Sequence, residues 1–190
     1  MTSRERDTAR TRRAVLDAAA RTVAAQGAGA SLDVIAREAG VSKSGLLHHF
    51  RSRDQLLLAL AQDLADQFTT AVHAAVDPRD HARGRLVRGY VNATFDGLGD
   101  GSKVPEHVVL VAALSTVPGV AQLLQRDTQA WNEAFEADGL HPDRVLLITK
   151  AADGASVAGL YEGVSDPGQV ERTRRLLLAL TRDAALPTTS

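Results

Sequence analysis

The sequence predicts an all-α fold with two parts. Two observations support the fold class, and a third supports the division into parts. Apolar residues recur at spacings of three and four along nearly all of the 190 residues, and no convincing strand-like alternation occurs. Serine, aspartate, glycine and proline fall between these stretches, where helices begin and end. Positive charge is concentrated towards one end, which indicates a small basic module followed by a larger helical body.

Three short helices are expected in the basic module. Ser31 and Ser42 stand where the N-caps of the second and third helices are needed, because a serine hydroxyl accepts from free backbone N–H groups. Gly40 follows the second helix, as expected of a residue in the left-handed conformation after a helix end. The predicted helices cover 9–26, 32–39 and 43–49.

Six longer helices are expected in the body. Ser52-Arg53-Asp54-Gln55 has the pattern of a capping box, and both Asp77-Pro78 and Asp166-Pro167 have an aspartate cap followed by proline. The predicted helices cover 53–76, 78–95, 104–116, 119–137, 142–162 and 168–183. With the first three this makes nine helices. We expect a DNA-binding domain over 1–52, a helical domain over 53–186 and a frayed tail over 187–190.

Composition and charge exclude several classes of protein. The chain has no cysteine, which excludes disulfides, thiolate catalysis and cysteine-ligated metals. Its net charge is −1, but residues 1–55 carry 10 basic and 6 acidic residues, whereas residues 56–190 carry 12 and 17. A signal-like apolar core and a membrane span are both missing, so a cytoplasmic protein without a membrane partner is expected.

The segment 32–50 has the pattern of a helix–turn–helix, with two short helices and a glycine in a tight turn. On a helical wheel, Leu46, Leu47 and Phe50 point inwards. The opposite side carries small and polar residues that suit a DNA major groove, with cations near both helix ends that suit phosphates. The outward residues are Ser44, Gly45, His48 and His49, and the cations are Lys43, Arg51 and Arg53.

A metal site and a catalytic pair are two other interpretations of His48 and His49. Adjacent helical residues point about 100° apart, so the two imidazoles do not converge on one metal as an i, i+4 pair does. A catalytic pair needs a nucleophile nearby, and the segment supplies none. No catalytic residue, metal site or cofactor is therefore predicted, and the chain is not expected to be an enzyme.

Residues 10–57 resemble the DNA-binding domain of TetR/AcrR-type transcriptional regulators. The resemblance is carried by the run from Leu32 to Lys43 and by His48-His49-Phe50-Arg51-Ser52-Arg53. It implies a TetR-like fold of nine helices, a homodimer, a palindromic double-stranded DNA operator and a ligand cavity in the C-terminal body. Many members have tyrosine at the position of Leu47, an aromatic residue at that of His49 and threonine or serine at that of Gly45.

The resemblance also implies roles for individual residues. Arg53 would clamp a phosphate, and Thr11 and Arg12 would be further phosphate contacts. The residues that read DNA would be Ser42, Lys43, Ser44, Gly45, His48 and His49.

The body carries no catalytic motif but has polar and aromatic residues on apolar helices, which is typical of small-molecule cavities. The candidate pocket residues are Tyr90, Asn92, Phe95, His107, Trp131, Phe135 and Tyr161. For any single one of them, an ordinary role in the core or on the surface is the favoured interpretation, and the resemblance to the family implies a cavity somewhere among them. Small residues in 142–162 and leucines in 168–183 favour a four-helix dimer interface, although these helices could instead pack on their own chain.

The sequence thus predicts a homodimeric repressor released from its operator by an unknown small molecule. The alternative is a helical small-molecule-binding protein with no specific DNA partner.

Overall fold

The computed structural model describes residues 3–99, 106–162 and 166–182, without the side chains of residues 3, 4, 106 and 159–162. The described residues contain nine α-helices and no strand, which confirms the predicted fold class. The helices are α1 (Ser3–Gln26), α2 (Leu32–Glu38), α3 (Lys43–His49), α4 (Arg53–Ala74), α5 (Arg85–Leu98), α6 (Glu106–Leu114), α7 (Val120–Asp138), α8 (Pro142–Glu162) and α9 (Pro167–Leu180).

The chain divides into two compact units, each with its own hydrophobic core. Unit 1 comprises Met1–Ala65 and Val109–Gln125, and unit 2 comprises Asp66–Val108 and Arg126–Ser190. Unit 1 therefore combines two separate segments of the chain, whereas the predicted domains follow chain order. A DNA-binding domain ending at residue 52 stays a prediction.

Unit 1 is built around an apolar core with local caps. Val15, Ala19 and Val23 of α1 are buried together with Ile35 of α2 and Leu46 of α3. The predicted caps of the short helices are confirmed, because the Ser31 hydroxyl accepts from Val34 N and the Ser42 hydroxyl accepts from Gly45 N. Gly40 has a φ of 68°, in the left-handed region that glycine adopts without strain.

The start of α4 uses a variant of the predicted capping box. Gln55 N donates to the Ser52 hydroxyl at 3.1 Å, as predicted. The Gln55 side chain accepts from Arg51 N at 2.6 Å, one residue before the N–H that the standard box uses.

In unit 2, α5, α8 and α9 pack against one another around a second apolar core, to which α7 contributes Phe135. Val87, Val91 and Phe95 of α5 are buried against Ile148 of α8 and Leu177 of α9. The close approach of α4 to α5 depends on Gly89, where a Cβ atom would lie 2.6 Å from Val76 Cγ2. The aspartate–proline start predicted for α9 is confirmed by the Asp166 carboxylate, which accepts from Gly168 N.

The predicted start of the fifth helix at residue 78 is wrong, because residues 77–84 form turns and α5 begins at Arg85. The Asp77 carboxylate does cap, but it accepts from Arg79 N in a tight turn. The turns expose the carbonyl oxygens of Ala82 and Arg83, which accept hydrogen bonds from the buried Arg88 guanidinium. A helix through these residues would occupy those carbonyls, so satisfying Arg88 favours the turns.

The N-terminus of α5 is capped from a distant part of the chain. Its N-cap, Gly84, has a φ of 81° and offers no side chain to the first N–H groups. The Asp138 carboxylate at the end of α7 accepts from Leu86 N at 2.8 Å and from Val87 N at 3.4 Å instead. A residue 52 positions away thus completes this helix end.

Among the helices that the structure describes, none is long and apolar enough to cross a membrane.

Candidate nucleic-acid interface and ligand pocket

The candidate DNA-reading face lies on α3, where local packing separates an apolar side from a polar side. Leu46 and Phe50 are fully buried in the core of unit 1, so α3 is held with one fixed side outwards. Ser44 and His48 are exposed, while His49 is half-buried. The His48 and His49 rings meet edge-on with centroids 5.6 Å apart.

Leu47 departs from the prediction that it points inwards. It is only half-buried, whereas Leu46 and Phe50 on either side of it are buried. Its apolar side chain therefore lies at the border of the polar face. An apolar contact to a thymine methyl is open to such a residue, but a hydroxyl-to-phosphate bond is not.

At the start of α3, two serine hydroxyls and a glycine lie in close contact. The Ser42 hydroxyl accepts from Gly45 N at 3.0 Å and lies 3.0 Å from the Ser44 hydroxyl. A Cβ atom on Gly45 would lie 3.2 Å from the Ser42 hydroxyl, which is a tight contact. Packing inside the turn is thus one reason for a glycine here, alongside the predicted close approach to DNA.

Lys43 is paired in the structure with a carboxylate that the sequence interpretation missed. Its ammonium donates to Asp33 Oδ2 on α2 at 2.8 Å, and both side chains are more than half exposed. Asp33 therefore lowers the positive charge that Lys43 presents to a phosphate. The ten-residue separation of the two residues, across a turn, hid this pairing from the sequence pattern.

Arg53 and Arg12 are both attached to the framework around α3. Arg53 Nε donates to the carbonyl of Ala30 at 3.2 Å, which orients a guanidinium with five N–H donors in all. The Arg12 guanidinium stands 4.4 Å from the ring centre of Phe50, at the end of α3, in cation–π geometry. Arg12 is thus brought beside the predicted reading helix.

Thr11 is the least distinctive of the predicted phosphate contacts. Its hydroxyl donates to the carbonyl of Asp7 at 2.9 Å, within α1. Such a bond to the preceding turn is common for helical threonine and assigns no role to the residue.

Three of the candidate pocket residues meet in one aromatic cluster of unit 2. Trp131 and Phe135 stack with centroids 5.4 Å apart, and the Tyr90 ring meets both edge-on. Phe68 and His73 of α4 also contact Trp131, which the sequence interpretation missed.

The Tyr90 hydroxyl supplies a polar group at this cluster. It donates to Asp153 Oδ1 of α8 at 2.5 Å. Burial raises the pKa of Tyr90 well above its ordinary value, and the hydrogen bond to Asp153 raises it further. Tyr90 therefore stays protonated and serves as a hydrogen-bond donor at any physiological pH.

Asn92 and Phe95 lie at a different place, where α5 meets α9. Asn92 Oδ1 accepts from Arg174 Nε and Nη2, at 3.2 and 3.0 Å. Arg174 also pairs with Asp96 at 2.9 Å, and its side chain lines a groove of about 240 Å³ together with Phe95. Asn92 and Arg174 hold α9 on α5. Phe95 also belongs to the apolar core that contains Phe135 and against which Tyr90 and Trp131 pack.

The last two pocket candidates have less support. His107 is half-buried beside Gly97, its Cε1 lying 3.6 Å from where a Cβ would stand, and burial lowers its pKa. The side chain of Tyr161 lies outside the described residues, so its predicted role has no structural counterpart here.

Two family profiles match the chain on either side of these features. One, described as "Bacterial regulatory proteins, tetR family", covers residues 15–60. The other, described as "Tetracyclin repressor-like, C-terminal domain", covers residues 84–182, more than half of the chain. The chain belongs to the TetR family. The first match contains α2, α3 and the start of α4, and the second contains α5 to α9.

Individual TetR-family proteins resemble the chain at moderate identity. The HTH-type transcriptional activator FasR of Mycolicibacterium smegmatis is 27% identical over 151 residues, which are 80% of this chain and 57% of FasR. The chain thus spans little more than half the length of this relative.

Solved structures share the fold. SCO4454, a TetR-family transcriptional regulator from Streptomyces coelicolor, superposes with a TM-score of 0.71 at 24% identity, over 92% of this chain and 95% of that one. AibR, solved in complex with isovaleryl coenzyme A and operator DNA, superposes with a TM-score of 0.65 at 20% identity, over 88% of this chain and 97% of that one.

Proposed function

We propose that this TetR-family protein is a homodimeric DNA-binding transcriptional regulator. It reads a palindromic operator with α3 and acts as a repressor that a small molecule, bound in the C-terminal region, releases from DNA. The observation that carries the proposal is the exposed polar face of α3, within the part of the chain that matches the family's N-terminal profile. The site of action is the cytoplasm, and no catalytic role is proposed.

The chemistry of the α3 face supports base reading. Hydroxyls and imidazoles both donate and accept hydrogen bonds, so Ser44 and His48 can distinguish base edges in a major groove. His49 and Gly45 lie at the border of this face. We assign the reading of sequence to these four residues together with Ser42.

The cations around the face support phosphate binding. Lys43 stands in the first turn of α3, where the helix N-terminus also favours anions. Arg53 and Arg12 are oriented by Ala30 and Phe50, so their guanidinium groups need little reorganisation to reach a phosphate. We assign Lys43, Arg53, Arg12 and Thr11 to positioning on the DNA backbone.

The outer surface of α8 and α9 supports a homodimer. Leu146 and Leu147 of α8 are 60% and 48% exposed, and Leu176 of α9 is 57% exposed. Among the described residues, and apart from the backbone of α8 itself and the two chain neighbours, no atom lies within 4 Å of where a Cβ on Gly154 would stand, so a second helix can approach α8 closely there. An apolar, partly small-residue surface of this kind suits the self-complementary contact of a two-fold dimer.

Relatives support regulation by a ligand. AibR was solved in complex with both isovaleryl coenzyme A and operator DNA. For this chain we propose a pocket bordered by Tyr90, Trp131 and Phe135, which combines aromatic walls with the Tyr90 hydroxyl oxygen as a hydrogen-bond acceptor.

Selection of binding sites from random duplex DNA tests the regulator class. We expect one enriched palindrome, whose affinity falls steeply as salt is raised because several phosphates are neutralised. His48→Ala and His49→Ala should relax the sequence preference, and His141→Ala, which removes an exposed imidazole from unit 2, should leave it unchanged. Equal affinity for all sequences, or no affinity, would instead favour a ligand-binding protein without a specific DNA partner.

Sedimentation velocity tests the dimer. Leu146→Glu and Leu147→Glu should produce monomers, because each places a charge in an apolar contact. Val111→Glu, which adds the same charge at another exposed apolar position, should leave the dimer intact. A dimer that tolerates both leucine substitutions would rule out this surface.

Transcription from the selected operator in vitro, with and without the protein, decides between repression and activation.

A further inference from the structure

Unit 2 contains a cleft of about 570 Å³ whose wall carries four basic side chains. It lies where the end of α4, the start of α5 and the end of α7 meet, away from the α5–α9 groove at Asn92. The basic residues are His73, His81, Arg83 and Arg85. Its volume is in the range of small-molecule sites, roughly 300–1,000 Å³.

The positive charge of this cleft is not balanced within the described residues. No described carboxylate lies within ion-pair distance of Arg83 or Arg85. Asp138 is the acidic residue of the wall, and its Oδ2 already accepts two backbone N–H groups of α5. Nearby Asp80 is paired with Arg88 at 2.6 Å and lies 3.7 Å from Arg182.

This local excess contrasts with the charge of the surrounding sequence. Residues 56–190 carry 12 basic and 17 acidic residues, so a basic cleft runs against the composition of that region. The four basic side chains are exposed to solvent. Two arginines without an acidic partner among the described residues, at one concave surface, attract anions.

The rest of the wall is apolar, and an aromatic residue, Trp131, lies next to it. Val76 and Leu86 line the cleft beside the basic groups. The His73 ring stacks on Trp131 with centroids 6.5 Å apart and an interplanar angle of 24°, which fixes its position at the edge. A ligand here therefore meets donors for an anionic group and also an apolar surface.

We propose that this cleft binds a small organic anion, namely a carboxylate or phosphate ester with a short apolar portion. Arg83 and Arg85 hold the anionic group through charge-assisted hydrogen bonds, and the apolar portion lies against Val76 and Leu86. The proposal concerns unit 2 alone and does not depend on DNA binding or on the pocket at Tyr90.

Equilibrium dialysis of the full chain with phenyl phosphate and with benzoate tests the proposal. We expect saturable binding of at least one anion, and the tighter of the two identifies the anionic group that the cleft prefers. Benzyl alcohol and benzyltrimethylammonium, which carry a similar ring without the negative charge, should not bind. Because Trp131 is the chain's one tryptophan and stacks on His73, its fluorescence should change with the same affinity as the dialysis reports.

Variants locate the site. Arg83→Gln and Arg85→Gln should each weaken binding about tenfold, since each removes one charge-assisted interaction. Arg79→Gln is the matched control, because Arg79 is exposed in the same turn segment but does not line the cleft. The proposal is overturned if neither anion binds, if the neutral or cationic ring binds equally well, or if Arg83→Gln and Arg85→Gln bind as tightly as the wild type.

Discussion

Unit 1 and unit 2 are both helical, but they place their polar interactions differently. The short helices of unit 1 are capped by serines three residues away, and Thr22 is the single buried polar residue of unit 1 among the described side chains. Unit 2 buries Arg88, Thr94, Arg144, Thr149 and Thr181. Its hydrogen bonds from Arg88 to Thr181, and from Tyr90 to Asp153, join residues 93 and 63 positions apart.

This difference indicates which interactions fix the positions of the helices in each unit. In unit 1 the short helices are set by local caps and an apolar core, and the long-range Arg13–Asp63 ion pair lies between partly exposed side chains. The outer face of α3 is thus left free for the proposed base contacts. In unit 2 the buried Arg88 and Arg144 bond to groups on other segments and must stay paired, since an unpaired buried charge is costly. Among the described side chains Thr94 is the exception, because its buried hydroxyl oxygen has no hydrogen-bond partner. The predictions below test this contrast, beginning with the largest expected effect.

Arg88→Met should be the most destabilising of the substitutions considered. It leaves Asp80 without its main partner and removes bonds to Thr181 and to two backbone carbonyls. We expect a loss of about 3–5 kcal/mol in the free energy of unfolding. Urea titration followed by Trp131 fluorescence reports on unit 2, and exposed Arg172→Met serves as the control. A loss below about 1 kcal/mol would mean that long-range polar ties are not what stabilises unit 2.

The same ion pair should make unit 2 sensitive to acid. The hydrogen bond from Arg88 lowers the pKa of Asp80 below about 3.8, its value in the unfolded chain. This stabilisation is complete above the unfolded pKa and is lost as the pH falls through the lower folded value. Wild-type protein should therefore lose more stability than Asp80→Asn between pH 7 and pH 3, measured by urea titration. An equal loss in both proteins would remove Asp80 from the acid response.

Gly89→Ala should cost about 1–3 kcal/mol through overpacking. The added Cβ would lie 2.6 Å from Val76 Cγ2 and 2.8 Å from the backbone oxygen of Val72, so a helix must move. Gly97→Ala on the same helix meets an ordinary contact of 3.6 Å and should be neutral or slightly stabilising. Thermal unfolding of both variants checks the contrast, and equal melting temperatures would contradict it.

Asp138→Ala and Ser42→Ala compare a distant cap with a local one. Each removes the acceptor for the first N–H groups of a helix, so each should cost about 1 kcal/mol. Circular dichroism during urea unfolding measures both losses. A large loss for Ser42→Ala with none for Asp138→Ala would contradict this expectation. It would mean that a cap from a distant residue stabilises a helix less than a local one does.

Asp33→Asn should have the smallest effect, and it acts on the proposed DNA binding. Freeing Lys43 from its exposed partner should tighten DNA binding roughly two- to fivefold, in line with the small energy of surface ion pairs. It should also steepen the salt dependence by about one phosphate contact. Fluorescence anisotropy with the selected operator at several salt concentrations measures both. Glu38→Gln, which frees Arg21 instead, is the control, and equal gains from the two variants would argue against a specific role for Asp33.

The sequence allowed unit 1 to be predicted more fully than unit 2, for a physical reason. The caps at Ser31 and Ser42 and the burial of Leu46 and Phe50 depend on neighbours within one or two turns, which a sequence pattern contains. The stacking of Trp131 and Phe135 was anticipated by their spacing of four. The Lys43–Asp33 pair was missed because it depends on how α2 and α3 cross.

The failures in unit 2 follow from distance along the chain. Asp77-Pro78 has the local signature of a helix start, yet the buried Arg88 uses the carbonyls of the following turn. Asp153 as the partner of Tyr90, and the basic cleft, require four helices to be assembled before they can be recognised. Local patterns carry no information about such pairings.

The cap that Asp138 provides to α5 has a consequence for the order of folding. The first turn of α5 has a glycine N-cap and begins with Arg85, a cation at the positive end of the helix dipole. Local contacts of Arg88 with Asp80, Ala82 and Arg83 hold this segment, but they supply no acceptor for Leu86 N and Val87 N. We therefore expect these two N–H groups to be paired only after the end of α7 has arrived. A chain emerging from the ribosome must therefore be synthesised beyond Asp138 before α5 can complete its N-terminus. Hydrogen exchange during refolding should show Leu86 and Val87 protected later than the middle of the same helix.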